Sequence, residues 1–464
     1  MIDKLFFLAL LIIPMTSITG LPFLGEIQHE ASAYVFLVIM ALSAAPVLVH
    51  FRIAGVQTRE RIFALPTIMT LMLCVIALSF VPNFITIKDS YFLGRGGLEK
   101  FASATILVLY GFGVSFLTYF IAERRGWDHL IVKPLAWSVV ICAVFSFFEL
   151  AARYSGAMSG LFQIISAPFY GDIPILEWDM RLRSLAFEPP DFANTAGYIW
   201  PWLLAALMAT RGAKQAIFIA LFILLNIMII LSEARTSLVV ITGLVSVFLL
   251  LRFVFLPARQ EGHPEKLVAP VSALFALFIP AGIAIIAYYF DDMVFAVVSE
   301  DNISNLSRLA SMTAAMRMFE ASPFYGFGFG QFGFHAAQYM PAWGFYSWEI
   351  QTWLFGPIGY WPAVYSVYAR FAADMGIPGV LFWLSLWLWL ARAVLVETLH
   401  YRERTGEVPF AAYPLILSCF GVLLAGIPCD SIRAPMIWVT LGLTCRYLAT
   451  MRQARLLAAQ TGAS

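Results

Sequence analysis

The feature that most constrains this chain is the recurrence of apolar stretches of membrane-crossing length, separated by short polar connections. A helix needs about 20 apolar residues to cross a hydrocarbon layer about 30 Å thick, so each stretch is a candidate transmembrane helix. Twelve spans are read, at about 5–21, 31–50, 62–87, 101–122, 134–151, 192–210, 214–232, 235–256, 268–290, 376–397, 411–428 and 434–450. Hydrophobic residues fill 61% of the 464 positions and charged residues 12%, more apolar sequence than a water-soluble core requires. The expected fold class is an all-α polytopic membrane protein forming one integral membrane domain over residues 1–464. It has about 12 transmembrane helices and a large extracytoplasmic loop containing a short amphipathic helix. The first stretch follows Lys4 in the manner of a signal peptide. No small-residue cleavage site follows it, so a retained first helix is expected.

Ionisable residues fall at span ends and in loops, as the cost of a charge at mid-bilayer requires, about 2.5–3.5 kcal/mol on insertion scales. Alternate loops hold most of the basic residues in short segments, among them Arg59 and Arg61, Arg124 and Arg125, Arg402 and Arg404. The positive-inside rule puts that set and both termini in the cytoplasm. The opposite face then holds two long loops, 152–191 and 291–375, with short corners at Ser232–Arg235 and Pro428–Arg433. Its basic residues are mostly arginines: Arg95, Arg153, Arg181, Arg183, Arg235, Arg308, Arg317, Arg370 and Arg433, beside Lys88 and Lys100. A net charge of +1 gives no reason to expect a nucleic-acid partner. The five cysteines are scattered, with no CxxC or Cys/His cluster, so no metal site is expected.

The loop 291–375 is the longest segment without a span. Leu309, Met312, Met316 and Phe319 are spaced three, four and three apart, which predicts an apolar stripe on a short helix ended by Ser322-Pro323. Gly328-Phe-Gly330-Gln-Phe-Gly333 satisfies the GxGxxG pattern, but a helix rather than a buried strand precedes it and aromatics fill the gaps. A tight turn with interfacial aromatics is the expected role.

Charged groups on the outer face supply the chemistry. Arg181-Leu-Arg183 leads through Glu188-Pro189-Pro190-Asp191 into the sixth span, either as a solvated Arg–Glu loop or as an anion-binding rim. Glu233 and Arg235 share a tight corner near hydrocarbon, where they are costly unless paired with each other or used by a ligand. Arg308 and Arg317 are nine residues apart, on opposite sides of a regular helix, and Arg308 is the one expected to face a ligand. His335 and Glu349 are candidate proton acceptors, although a lone loop histidine is more often structural. Asp374 either caps the tenth span or orients an arginine.

Together, Arg183…Glu188-Pro189, Ser232-Glu-Ala-Arg235-Thr, Ser307-Arg308, Pro323-Phe-Tyr-Gly326-Phe-Gly328-Phe-Gly330 and Tyr365-Ser366-Val-Tyr368…Asp374-Met-Gly376 resemble the O-antigen polymerase/ligase superfamily. The resemblance covers roughly residues 180 to 380. It implies a membrane glycosyltransferase working outside the cytoplasmic (inner) membrane, with undecaprenyl-diphosphate-linked oligosaccharides as donor and acceptor. It also implies lipopolysaccharide or related polysaccharide biosynthesis and a chain-length regulator as a possible partner, with no cofactor. Under this reading Arg181, Arg183, Arg235, Arg308 and Arg370 bind the diphosphate, and Glu188, His335, Glu349 and Tyr365 are the catalytic candidates. Ligases of the family place a histidine where this chain has Tyr365. That departure and the Glu188-Pro189 element point to a polymerase, with ligase as the alternative. A lipid-linked glycan transporter would use the same spans, but should carry polar groups at mid-membrane rather than at the rim. A non-catalytic membrane scaffold is the blandest reading.

Overall fold

The computed structural model describes residues 1–18, 20–21, 27–53, 64–122, 126–170, 181–256, 303–356 and 361–460. The ninth expected span, the Gln260–Lys266 linker and the start of the large outer loop lie outside them. Among the described residues the chain is all-α with fifteen α-helices and one two-stranded hairpin, consistent with a polytopic membrane protein. In chain order the helices are α1 Ile2–Leu11, α2 Ala31–Ile53, α3 Ala64–Asp89, α4 Gly97–Ala122, α5 Lys133–Tyr154, α6 Gly156–Tyr170 and α7 Pro189–Ala209. They continue as α8 Ala213–Leu231, α9 Arg235–Leu250, α10 Ile303–Ala321, α11 Phe332–Tyr339, α12 Trp348–Phe355, α13 Val367–Thr405, α14 Ala412–Ala425 and α15 Pro435–Gln460. The hairpin pairs Tyr91–Phe92 (β1) with Arg95–Gly96 (β2) between α3 and α4.

Five of these segments, Ala64–Asp89, Gly97–Ala122, His129–Tyr154, Ala213–Leu231 and Val367–Thr405, are long and apolar enough to cross a membrane. Their outward faces carry large exposed apolar side chains such as Val81 (71%), Ile85 (74%) and Phe147 (65%). In water each would be a liability; against lipid tails it costs nothing.

The bundle closes where small residues let helices approach. A Cβ on Gly111 of α4 would lie 2.0 Å from the Trp438 indole of α15, and one on Gly442 of α15 would lie 2.3 Å from the Ser115 carbonyl oxygen. Ser115 Oγ completes this seam by donating to the Trp438 carbonyl at 2.8 Å.

Several elements differ from the sequence expectation. The first helix stops at Leu11 after 10 residues, about 15 Å, too short for a crossing. The long loop expected over 152–191 contains α6, a 15-residue helix that no span or stripe marks. The tenth span is preceded by helix rather than loop: α13 runs from Val367 to Thr405, but its helical geometry breaks at Gly376 (φ 65°, ψ −157°), where the span was expected to begin.

On α10 the predicted stripe is misplaced. Leu309 and Met316 are exposed, and the buried face is Ser307, Ala310, Ser311, Ala314, Ala315 and Met318. Small side chains win this face because they let α10 lie close against α13. With α11 and α12 they build a second small core that includes Phe332, Ile350 and Leu354 and rests on Ala369 and Ala373 of α13.

Contacts gather the helix ends expected on the outer face at one end of the bundle. Gln331 Nε2 donates to the Gly97 carbonyl (3.1 Å), Asn83 Nδ2 to that of Gly326 (3.0 Å), and the Phe187 amide to Thr16 Oγ1 (3.3 Å). The Leu182 amide donates to the Leu231 carbonyl (3.0 Å), and that of Val367 to the Gly426 carbonyl (2.9 Å).

Candidate functional site at the helix ends

The segment before α7 is shaped from below by an acid within α5. Glu149 is fully buried, and its Oε1 accepts from Arg153 Nη2 at 2.8 Å and from the Arg183 amide at 3.2 Å. Its Oε2 accepts from the Ser184 amide at 2.9 Å. Arg153 Nη2 also donates to the Arg181 carbonyl at 2.9 Å. This carboxylate therefore anchors the two peptide units that set the position of Arg183. Arg183 is itself buried, and its Nη1 donates to the Phe187 carbonyl at 3.3 Å.

Opposite it, the first turns of α10 and α12 meet. Ser307 Oγ donates to Glu349 Oε2. The Arg308 guanidinium lies 5.2 Å from the Tyr365 ring centre, a cation–π contact. Its buried Nε makes no hydrogen bond among the described residues. Tyr365 rests beside Trp353, ring centres 5.8 Å apart.

Glu188, the residue before α7, is where these groups meet. It retains solvent contact, yet the protein around it removes enough water to push its carboxyl above the usual value of 4.5. The charges of Asp191 and Glu349 add to that rise, while Arg308 and Arg183 oppose it. Both arginines thus act on one carboxylate. The Tyr365 phenol is also pushed up, first by burial and then by Glu349, with Arg308 opposing and Glu188 adding. It therefore stays protonated at neutral pH, a hydrogen-bond donor rather than a base.

Backbone strain marks the same place. Four described non-glycine residues have positive φ: Leu93 in the hairpin turn, and Ser184 (52°), Glu233 (46°) and Tyr365 (62°), all at or beside the expected site. Such conformations cost of order 1–3 kcal/mol and persist only where surrounding structure enforces them.

The structure thus brings Arg183, Glu188, Arg308, Glu349 and Tyr365 together. Arg235 opens α9 just after the corner that holds the Leu182 amide, but its side chain lies outside the described residues. Arg181 is partly exposed beside Arg183. Arg317 turns elsewhere, donating to the Tyr339 carbonyl at 3.3 Å. His335 sits against the Phe327 ring at 4.8 Å, and burial pushes its imidazole pKa down.

Arg370 has internal partners, Asp374 Oδ2 at 3.7 Å and the Asp430 carbonyl at 3.2 Å, so it braces the fold beside the site. Asp374 orients that arginine and does not cap the start of the tenth span: it lies buried within α13, and its side chain accepts from the amides of Gly330 (2.9 Å) and of Phe332, the first residue of α11 (3.0 Å). The amides that a phosphate would need in a GxGxxG loop are held by this carboxylate. The glycines serve a close approach: a Cβ on Gly326 (φ +63°) would lie 2.4 Å from the Asp374 carbonyl carbon.

Sequence reasoning passed over Glu149, Glu30 and Asp191 as functional groups. Glu149 had one legible signal, an acid inside an apolar span. Glu30 pairs with Arg433 (3.1 Å), a partner 403 positions away that no local pattern indicates.

The O-antigen ligase family model matches residues 219–384, from α8 into α13, a stretch that includes Arg235, Arg308, Glu349 and Tyr365. This match supports the O-antigen polymerase/ligase superfamily and does not separate its two branches. No curated protein matches the chain.

Proposed function

With residues 219–384 matching the O-antigen ligase family, we propose that this multi-pass membrane protein polymerises undecaprenyl-diphosphate-linked oligosaccharide repeats on the outer face of the inner membrane. The observation that carries the proposal is the convergence of Arg183 and Arg308 on Glu188, with Glu349 and Tyr365 beside it. In glycosyl transfer the lipid diphosphate is the leaving group, and fixed guanidinium groups stabilise the charge that grows on it. An acceptor hydroxyl attacks the anomeric carbon, forming the new C–O bond as the sugar–phosphate C–O bond breaks. Its proton passes to Glu188, which its surroundings make a stronger base than an ordinary glutamate. Tyr365 holds the acceptor or a phosphate oxygen by donation. Arginine stabilisation leaves the transfer independent of divalent metal, so activity survives EDTA.

Ligation of a finished glycan to a lipid A-core acceptor is the second reading, favoured by the description of the matched family. Against it stands Tyr365, a protonated phenol where ligases of the resembled family place a histidine. Complementation separates the two: a polymerase-deficient strain carrying this chain regains long polysaccharide on gels, and Glu188→Gln leaves single repeats. Rescue of a ligase-deficient strain alone would overturn the proposal. Cysteines placed at the exposed Tyr346 and Glu403 are labelled from opposite sides of the membrane; labelling from one side would remove the outer-face assignment.

A further inference from the structure

Tyr365 sits just before α13 at φ 62°, in the left-handed region that residues with a Cβ rarely adopt. Such a conformation persists only where the chain on both sides of it is held. The holder is the corner over residues 426–434 that joins α14 to α15, which takes no other part in the transfer step.

Before Tyr365, the Val364 amide donates to Asp430 Oδ2 at 2.8 Å. After it, Ser366 Oγ donates to the Gly426 carbonyl at 3.3 Å, and the Val367 amide donates to the carbonyls of Gly426 (2.9 Å) and Cys429 (3.0 Å). Arg370 Nη1 reaches the Asp430 carbonyl at 3.2 Å. Of these contacts, only the one from Val364 ends on a side chain of the corner, so a single substitution can cut it and leave the others in place. The corner also has anchors of its own: Trp438 Nε1 donates to the Ile432 carbonyl at 2.9 Å, and Arg433 Nε pairs with Glu30 Oε1 at 3.1 Å. What the Val364 contact holds is the direction of the next side chain. Val364 is buried in the small core of α10, α11 and α12, whereas the Tyr365 ring lies 5.2 Å from the Arg308 guanidinium and 5.8 Å from the Trp353 ring. With Val364 kept in that core, a return of Tyr365 to an ordinary negative φ would swing its ring away from both.

We propose that Asp430 is a positioning residue: by accepting from the Val364 amide, its carboxylate holds Tyr365 in the left-handed conformation that sets the phenol beside Arg308. It acts through Tyr365 and touches no substrate. Its part in the reaction rests on the glycan-transfer reading. The Val364 amide needs an acceptor rather than a charge, so an asparagine oxygen can replace the carboxylate.

The test places fluorotyrosine at position 365 of the full chain in lipid nanodiscs and reads it by fluorine NMR. Asp430→Ala, checked for folding by gel filtration and melting, should move the signal, and Asp430→Asn should return it to the wild-type position. An aspartate that only stabilised the fold would lower the melting temperature and leave the signal of the folded protein in place. If Asp430→Ala does not fold, Asp430→Thr takes its place, with similar bulk and an oxygen one bond short of the amide. An unmoved signal in the folded variant, or one that Asp430→Asn does not restore, would overturn the proposal.

A kinetic arm ties the hold on Tyr365 to the reaction. With lipid-linked repeats, Asp430→Ala should lower kcat about tenfold, the worth of one hydrogen bond to a charged group, and Asp430→Asn should recover most of it. In a Tyr365→Gly background, where no ring is left to position and glycine accepts the positive φ, Asp430→Ala should cost less than about twofold more. Equal losses in both backgrounds, or a wild type that transfers glycan while Asp430→Ala keeps its kcat, sinks the positioning role and spares the glycosyltransferase. A wild type that transfers nothing sinks the glycosyltransferase and the part of Asp430 in it, while a fluorine signal that still follows the variants upholds the contact with Val364 as the hold on Tyr365.

Discussion

Replacing Glu149 separates holding the fold from holding the site. Its carboxylate is fully buried, pairs with Arg153 at 2.8 Å, and accepts two backbone amides at 3.2 and 2.9 Å. Glu149→Ala leaves Arg153, whose side chain is 6% exposed, as an unanswered buried cation and strands both amides. Breaking a buried pair in this way costs about 3–5 kcal/mol. The double variant Glu149→Leu/Arg153→Met removes both charges and fills their volume, a change that is often neutral or stabilising by about 1–4 kcal/mol. The two amides still lose their anchor, so Arg183 is no longer held toward Glu188. Thermal unfolding in detergent, followed by tryptophan fluorescence, should show a large loss for Glu149→Ala and near-recovery for the double variant. Transfer of lipid-linked repeats should stay low in both. If the double variant regains activity along with stability, Glu149 is only half of an ion pair and its positioning of Arg183 is refuted.

Three further outcomes are expected. Arg308→Ala should lower kcat by on the order of 10²–10³, the cost of one preorganised donor, and Arg308→Lys should recover only a small part because an ammonium lacks the planar fork. A base must be ionised to work and the Glu188 carboxyl is raised, so kcat/KM should fall as pH drops through a value above 4.5, and Glu188→Gln should abolish that limb. Gly326→Ala meets both a φ of +63° and a Cβ contact of 2.4 Å; beyond about 1–3 kcal/mol of strain it should undock the glycine loop from α13, read as faster proteolysis within 323–331.

The part of this architecture written in local sequence is the part set by water and hydrocarbon. Apolar runs such as Gly97–Ala122 and Ala213–Leu231 declare themselves because a membrane demands length and apolarity from each helix alone. Arg183, Glu188 and Arg308 were legible for the converse reason, as charges placed where span ends meet polar surroundings. What stayed hidden depends on pairing over distance. The buried face of α10 is made of alanines and serines, which carry little hydrophobic signal, so the larger Leu309 and Met316 drew the stripe to the wrong side. The GxGxxG pattern became meaningful only once Asp374, 44 positions beyond Gly330, was seen to hold its amides. The ion pair of Glu30 with Arg433 reaches across nearly the whole chain.

The most direct test of the central claim is a reconstitution with purified chain and a defined undecaprenyl-diphosphate-linked repeat, in detergent with EDTA and without any lipid A-core acceptor. A ladder of lipid-linked oligomers, absent with Glu188→Gln and Arg308→Ala, is the predicted result. Glycan transfer that begins only when a lipid A-core acceptor is added, or only when a divalent metal is restored, would contradict it.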